Sequence, residues 1–235
     1  MQLDAVMAEL EAMGNPQTKK IFMNHGAREP FFGVKVGDMK TILKKAKNNH
    51  GLALALYDTG NADAMYLAGL MADKKKVTPE ELDHWVDGAY WYMVSEYAVA
   101  ALAAESAHGL ALGMKWIEDE REHVANAGWA TLGHCVSLLP DDQLDTEVLG
   151  DLLARVEQSL HQAPNRVRYT MNGFVIAVGS YVAALTERAK EVAEKIGKVS
   201  VDMGGTACKV PLATATIAKI EKMGRIGRKR KNARC

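Results

Sequence analysis

The 235-residue sequence predicts an all-α protein of about a dozen helices joined by short turns. Apolar residues recur at intervals of three and four along most of the chain, as they do on one face of an amphipathic helix. Alanine, leucine and methionine, which favour helices, are abundant, whereas only six residues are proline. We therefore expect an antiparallel array of helices.

The N-terminal third of the chain is predicted to contain five helices. Residues 3–13 have helical spacing, and Gly14-Asn15-Pro16 ends the first helix because glycine and proline disfavour its continuation. Residues 26–33 include Pro30 and are predicted to form a loop, after which Gly37 begins a further helix. The other predicted helices of this part lie at residues 17–24, 52–57 and 62–71.

A capping box marks the start of the next helix. The Thr78 hydroxyl can accept a hydrogen bond from the Glu81 amide, and the Thr78 amide can donate one to the Glu81 side chain. Pro79 suits the first turn. The periodic pattern continues through the rest of the chain. Helices are predicted at residues 90–104, 109–117, 123–138, 166–182, 186–196 and 211–223, and in a stretch that follows Pro140 and ends at Leu160.

The short turns favour helices that pack against their neighbours in sequence. Such helix pairs stack into a curved solenoid with a concave face, as HEAT-type repeats of about 40 residues do. A closed helical bundle is the alternative architecture, because it also uses short loops. We expect a HEAT-like helical-repeat domain at residues 1–198 and a basic C-terminal extension with one short helix at residues 199–235.

Basic residues are concentrated at the C-terminal end. Although the formal net charge is zero, the last 27 residues contain nine Lys and Arg against one Glu. This end would attract a polyanion by neutralising phosphates and releasing counterions. Its glycines predict flexibility, which suits loose phosphate binding or insertion into a minor groove.

Three groups of cations are candidate contacts with DNA phosphates. One group is in the tail, a second follows the helix start at Pro164-Asn165, and a third lies on the polar face of the helix after Gly37. A solvated basic surface without a partner is the alternative for each group. The candidates are Arg166, Arg168, Lys40, Lys44, Lys45, Lys47, Arg225, Arg228, Lys229, Arg230 and Lys231.

Several classes of protein do not fit the sequence. No apolar run approaches the roughly 18 residues of a transmembrane helix, and the first five residues lack the pattern of a signal peptide, so we expect a cytoplasmic protein. The three cysteines are widely spaced and the seven histidines show no spacing typical of metal ligands, so neither a disulfide framework nor a metal site is expected.

Three segments carry a resemblance to a known family. They are Asn24-His25 with the following Pro30-Phe31-Phe32-Gly33-Val34, then Tyr90-Trp91-Tyr92-Met93-Val94-Ser95, and then Gly173-Phe174-Val175-Ile176. Over roughly residues 15–185 the pattern and spacing of the chain resemble the HEAT-like DNA alkylation repair glycosylases. The resemblance implies a HEAT-like fold, double-stranded DNA as partner, and no metal or organic cofactor.

The resemblance also implies roles for individual residues. Trp91 stands at the family's first tryptophan and Phe174 at the second, where aromatic faces would attract a positively charged alkylated base. Ser95 stands where the family has an aspartate, whose carboxylate would stabilise positive charge on the deoxyribose. The family's arginine would fall within residues 127–131, where this chain has none.

Three hypotheses follow. The first is a DNA-binding member of the family that excises cationic N-alkylpurines, and Ser95 weakens this hypothesis. The second is a nucleic-acid or lesion binder without catalysis, and the third is a protein-interaction scaffold. For Trp91 and Phe174, packing in a core is the alternative to a site role. We favour a monomer.

Overall fold

The protein is built from helices throughout the part of the chain that the structure describes. The computed structural model describes residues 1–46 and 49–234, so Lys47 lies outside the described residues. The α-helices are α1 (Leu3–Met13), α2 (Pro16–Asn24), α3 (Val36–Ala46), α4 (His50–Tyr57), α5 (Ala62–Met71), α6 (Pro79–Gly88), α7 (Ala100–Glu105), α8 (Gly109–Trp116), α9 (Glu122–Leu138), α10 (Thr146–Ser159), α11 (Asn165–Tyr181), α12 (Thr186–Ile196) and α13 (Ala213–Lys222). A π-helix, Met93–Val99, precedes α7, and short 3₁₀ turns lie at Asp141–Gln143, Leu160–Gln162 and Ala183–Leu185.

Local sequence signals set many helix boundaries. The capping box is confirmed, because Thr78 Oγ1 accepts from the Glu81 amide at 3.2 Å and the Glu81 carboxylate accepts from the Thr78 amide at 2.9 Å. Helix α12 has the predicted bounds, and α2 begins one residue earlier than predicted, with Pro16 in its first turn. These signals act within one turn of the chain, so the sequence alone predicts them.

The predicted helix at residues 90–104 is wrong in its first part. Trp91 lies in the connection before the helix, and the next turns are π-helical instead of α-helical. Contacts with the N-terminal segment hold this connection, since Trp91 Nε1 donates to the His25 carbonyl at 2.9 Å and the Tyr90 hydroxyl donates to the Arg28 carbonyl at 2.7 Å. Tertiary hydrogen bonds therefore override the local helical preference.

The helices pack in the order in which they occur along the chain, as in a solenoid. Helices α5, α7 (with the π-helix), α9 and α11 pack one against the next, and we call them the central layer. Helices α4, α8 and α12 pack on the central layer, and α10 packs on α12. Buried apolar residues form one core up to α9 and a second core from there to α13.

Close approach within the central layer depends on glycine. A Cβ atom on Gly69 of α5 would lie 2.7 Å from the Cβ of Ala98 in the π-helix. At that distance the two helices could not keep their present separation. Gly69 thus has a packing role, which some other helical glycines of the chain lack.

The C-terminal extension continues the helical packing. Ile217 and Ala213 of α13 are fully buried in the second core, and α13 contacts both α11 and α12. The Cδ1 atom of Ile217 fills the space above Gly179, where an added Cβ would be 2.6 Å away. The extension is therefore packed against the array by apolar contacts.

No single helix among the described residues is long and apolar enough to cross a membrane. Helix α11 and the segment Ala183–Ile196, which includes α12, reach the length and apolar composition of a membrane span only when they are taken together. The chain bends by 114° between them.

Candidate nucleic-acid interface

The last described residues cross the ends of the central layer. We call residues 224–234 the C-terminal strap. The Gly227 amide donates to the Ser180 carbonyl at 2.9 Å in the last turn of α11. The Arg230 amide donates to the Ser137 carbonyl at 2.8 Å in the last turn of α9. The strap therefore runs from α11 to α9, and the expectation of a flexible tail is wrong for these residues.

Arg234 anchors the far end of the strap on α5 and α7. Its guanidinium donates to the carbonyl oxygens of Gly69, Leu70 and Ala72 at distances of 3.1, 3.3 and 2.9 Å. The same group pairs with the buried carboxylate of Glu105, the last residue of α7, at 3.0 Å. Burial raises the pKa of Glu105, but the contacts with Arg234 outweigh it and hold this pKa below its ordinary value.

The strap changes the charge at this edge of the central layer. The carboxyl ends of α5, α7, α9 and α11 lie along it, and a helix carboxyl end carries partial negative charge. We call it the carboxyl edge. Unsatisfied helix carbonyls would repel phosphates, whereas the strap satisfies several of them and adds basic side chains. The strap therefore adds exposed positive charge to the carboxyl edge.

The predicted cations of the tail divide into two kinds. Lys229 is held inward, because its Nζ donates to the Val136 carbonyl at 3.0 Å and pairs with Asp141 at 2.8 Å. The other predicted cations of the tail are exposed, and no side-chain ion pair involves them within the described residues. They are Arg225, Arg228, Arg230 and Lys231. These four side chains can reach an external polyanion.

A basic groove continues from the far end of the strap. This lysine groove has a volume of about 770 Å³ and is lined by Asn232 and Arg234, with residues of α3 and of the turn after α5. Its exposed cations include Lys40 and Lys44, which the sequence analysis selected, and Lys74 and Lys75, which it did not. Thus Lys40 and Lys44 lie in the same basic surface as the strap.

A second cavity lies at the opposite, amino edge of the central layer. This amino-edge cavity has a volume of about 460 Å³. It lies among the end of α2, the connection before the π-helix, the first turns of α9 and α11, and the loop before α13. Trp91, Arg166 and Glu122 line it. The loop approaches α2 so closely that a Cβ on Gly204 would be 2.0 Å from the Asn24 carbonyl oxygen.

Trp91 lines this cavity but has little free surface. The residue is 3% exposed, and its ring lies 5.2 Å from that of Phe22. Phe174 is 0% exposed and packs edge-on against Trp129 at 5.3 Å, on the wall of a different cavity. The expectation that these two rings present open faces to one cationic base is therefore wrong, because both rings are used in packing.

Ser95 is also withdrawn from solvent. It is 0% exposed, and its hydroxyl donates to Asn126 Oδ1 at 3.1 Å. Asn126 in turn lines the amino-edge cavity. A neutral hydroxyl–amide pair therefore occupies the position where the family resemblance places a carboxylate.

The carboxylate next to Ser95 is committed to Arg166. Glu96 is 3% exposed, and its two oxygens accept from Arg166 Nε at 2.7 Å and Nη2 at 2.6 Å. The guanidinium also lies over the rings of Tyr92 and Tyr169, at 4.2 and 4.3 Å. Burial raises the pKa of Glu96, and Arg166 opposes this rise. Arg166 is thus held by the protein rather than left open to phosphate.

Arg168 is only partly exposed. Its Nη2 donates to Asn165 Oδ1 at 3.3 Å, and its buried Nε has no hydrogen-bond partner among the described residues. Arg168 and Arg166 therefore do not form the open basic face that was one of the sequence expectations.

Sequence reasoning missed the residues that depend on distant contacts. Glu96 was not among the residues selected from the sequence, and Arg234 was counted only as part of the tail's charge. Their partners, Arg166 and Glu105, are 70 and 129 residues away along the chain. A buried arginine–carboxylate pair leaves no local periodic signal, so only the position of Glu96 within an apolar segment hinted at it.

Among the described residues, no group of three or more His, Cys, Asp or Glu side chains is arranged to hold a metal ion.

Comparisons with known proteins agree with this architecture. An uncharacterized protein of Listeria innocua is 36% identical over 223 residues, covering 92% of this chain and 96% of the relative. An uncharacterized protein of Listeria monocytogenes is 35% identical over 222 residues, with the same coverage of 92% and 96%. A solved structure has a TM-score of 0.91 and 40% identity, with all of both chains covered.

That structure represents a family related to the HEAT-like repeat DNA glycosylases with affinity for branched DNA structures. The HEAT-like all-α fold expected from the sequence is therefore confirmed. Residues 6–196 match the family model of the DNA alkylation repair enzymes. The chain belongs to the DNA alkylation repair enzyme family.

Proposed function

We propose that this protein binds branched DNA through the basic surface on its carboxyl edge, without excising bases. The observation that carries the proposal is the docking of the strap, which aligns exposed arginines with the lysine groove. A surface of this kind would neutralise phosphates on a nucleic acid that contacts both the strap and the lysine groove. Residues 1–208 contain more acidic than basic side chains, so this surface is distinct from the rest of the molecule.

The structural relative supports the choice of branched DNA. Its family has affinity for branched DNA structures, and it is similar to this chain over the full length of both. A fold of this similarity preserves the position of α3, the helix that carries Lys40 and Lys44, relative to its neighbours. We expect linear double-stranded DNA, the partner predicted from the sequence, to bind more weakly than branched DNA.

The local chemistry around Ser95 supports binding without excision. Excision of a cationic base would need a carboxylate that can face the developing charge on the sugar. Ser95 is neutral and buried, and the Glu96 carboxylate is occupied by Arg166. Glu122 also lines the amino-edge cavity, but its Oε1 accepts from the Arg166 amide at 2.5 Å.

A mobility-shift experiment tests the binding surface. A four-way DNA junction and a linear duplex of the same length are titrated at two salt concentrations. We expect tighter binding of the junction and a steep salt dependence. The double variant Lys40→Ala/Lys44→Ala should lower the salt slope by about two, since each lost phosphate contact removes about 0.9.

Lys20→Ala/Lys198→Ala is the matched control, because both lysines are exposed and lie outside the groove. It should leave the slope unchanged. Equal effects of the two double variants would show that the groove is not the binding surface. An excision assay on duplex DNA with methylated purines tests whether the protein binds without excising bases. Release of the methylated base by the wild-type protein would refute this part of the proposal.

A further inference from the structure

A narrow cavity between α9 and α11 has not been assigned a role. It has a volume of about 230 Å³, and we call it the tyrosine slot because Tyr97, Tyr169 and Tyr181 line it. The edge-on pair Trp129 and Phe174 also contributes to its lining. A cavity with aromatic walls of this kind suits a flat ring better than a flexible aliphatic group.

Two helical glycines keep the slot open. Gly173 lies in the middle of α11 and is exposed, and a Cβ added to it would meet no atom within 4 Å. Gly133 lies on α9, where the nearest atoms to an added Cβ are 3.8 Å away. Glycine is unfavourable in the interior of a helix. Unlike Gly69, neither glycine is needed for the close packing of two helices. Because glycine has no side chain, each leaves the adjoining part of the slot open.

The slot adjoins a cluster of cations. Arg230 and Tyr181 line the slot and also line a neighbouring cavity of about 360 Å³. That cavity contains Arg225 and Arg228 of the strap. An aromatic cavity next to several cations complements a planar ring that is attached to phosphates.

Polar groups are available within the slot. The His134 and Ser137 side chains line it, and so does Glu96, whose carboxylate is held by Arg166. An imidazole and a hydroxyl can exchange hydrogen bonds with the edge of a nucleobase. The slot therefore combines stacking surfaces, edge contacts and a cationic rim, which are the three elements of nucleotide recognition.

We propose that the tyrosine slot holds one unpaired base of a DNA branch, while Arg225, Arg228 and Arg230 bind the phosphates that flank it. This inference rests on the proposed binding of branched DNA and adds the feature of the branch that is recognised. Paired bases are stacked inside the duplex and cannot enter the slot, whereas unpaired bases at a branch can. The slot thus favours branches that contain unpaired nucleotides.

The experiment compares three ligands: a fully paired three-way junction, the same junction with two unpaired adenines at the branch, and dAMP. Gly173→Leu adds an apolar side chain to the slot lining at a position where a Cβ meets no atom within 4 Å. Gly150→Leu is the matched control, because a Cβ on that helical glycine of α10 also meets no atom within 4 Å. Affinity is measured by fluorescence anisotropy. In parallel, 2-aminopurine at an unpaired position reports stacking.

We expect the wild-type protein and Gly150→Leu to bind the junction with unpaired adenines about tenfold more tightly than the paired junction, as stacking of one base would give. Gly173→Leu should lose this preference and the quenching of 2-aminopurine, while keeping its affinity for the paired junction. Far-ultraviolet circular dichroism checks that each variant is folded.

Two outcomes would overturn the inference while leaving the proposed function intact. One is a wild-type protein that binds both junctions equally, and the other is a Gly173→Leu variant that keeps the preference. Saturable binding of dAMP without any preference between junctions would assign the slot to a free nucleotide instead. A wild-type protein that binds neither junction would refute the proposed function and the slot assignment together.

Discussion

Glu96 and Arg166 form a two-pronged ion pair between the π-helix and α11, with N–O distances of 2.7 and 2.6 Å. Arg166 lines the amino-edge cavity and Glu96 lines the tyrosine slot, so the pair stands between the two cavities. Through this pair Arg166 also holds the carboxylate that directly follows Ser95 in the sequence. One interaction therefore links the packing of the central layer to the chemistry of the candidate site.

Removing Arg166 should destabilise the protein. Arg166→Ala leaves the Glu96 carboxylate buried without its partner, and such a change costs about 3–5 kcal/mol of the free energy of unfolding. Urea denaturation followed by circular dichroism measures the loss. Arg188→Ala, which breaks solvent-accessible ion pairs with the half-buried Glu157 and the exposed Glu191, is the control and should have little effect. Equal stabilities of the two variants would contradict this role of the pair.

Stability should depend on pH through His134. Burial, assisted by the positive charge of Arg230, lowers the pKa of this histidine from 6.5 to about 4. Between these values the unfolded state binds more protons than the folded state, so the His134 contribution to stability rises with pH and is lost as pH falls through this window. Glu96 opposes this trend, because burial raises its pKa.

The difference in unfolding free energy between wild type and His134→Gln isolates the histidine. We expect this difference to increase from pH 4 to pH 6.5 and then to become constant. Urea titrations at half-unit pH intervals provide the measurement. A difference that is independent of pH would show that His134 keeps an ordinary pKa in the folded protein.

Removing Arg234 should release the strap. Arg234→Ala deletes the hydrogen bonds to three carbonyl groups of the α5 end and leaves Glu105 with Lys74, at 3.5 Å, as its remaining cation. We expect a loss of about 2–3 kcal/mol in unfolding free energy and faster cleavage of the strap by trypsin. Lys231→Ala changes an exposed side chain and should leave stability and cleavage elsewhere in the strap unchanged.

Restoring the family aspartate at position 95 should not restore excision. Ser95→Asp would bury a carboxylate with Asn126 as its neighbour and should cost about 3 kcal/mol. Ser95→Ala, which only removes the hydroxyl, should cost about 1 kcal/mol. Release of methylated purines by the Ser95→Asp variant would show that the position faces the DNA after all.

Part of the candidate site was predictable from sequence. Lys40 and Lys44 were selected by their place on the polar face of one helix, and the structure places them in the lysine groove. The concentration of charge after residue 208 was evident from composition. Both features depend on neighbouring residues in the chain, so a linear sequence contains them.

Other parts of the site were not predictable in this way. The strap was expected to be flexible, because a glycine-rich basic segment has no apolar periodicity. Its order comes from hydrogen bonds to helix ends, such as that from the Arg230 amide to the Ser137 carbonyl. The tyrosine slot likewise requires that Tyr97 and Tyr169 from different helices face each other, which no spacing along the sequence encodes.

The sequence by itself determined the all-α class, most helix boundaries, the capping box at Thr78 and the family, because these follow from the spacing of residues within a few turns and from the pattern around Trp91. Only the tertiary structure decided that Trp91 is packed, that Glu96 is paired with Arg166, and that the basic tail covers the carboxyl edge. Those contacts join residues far apart in the chain, and their geometry exists only once the helices have packed.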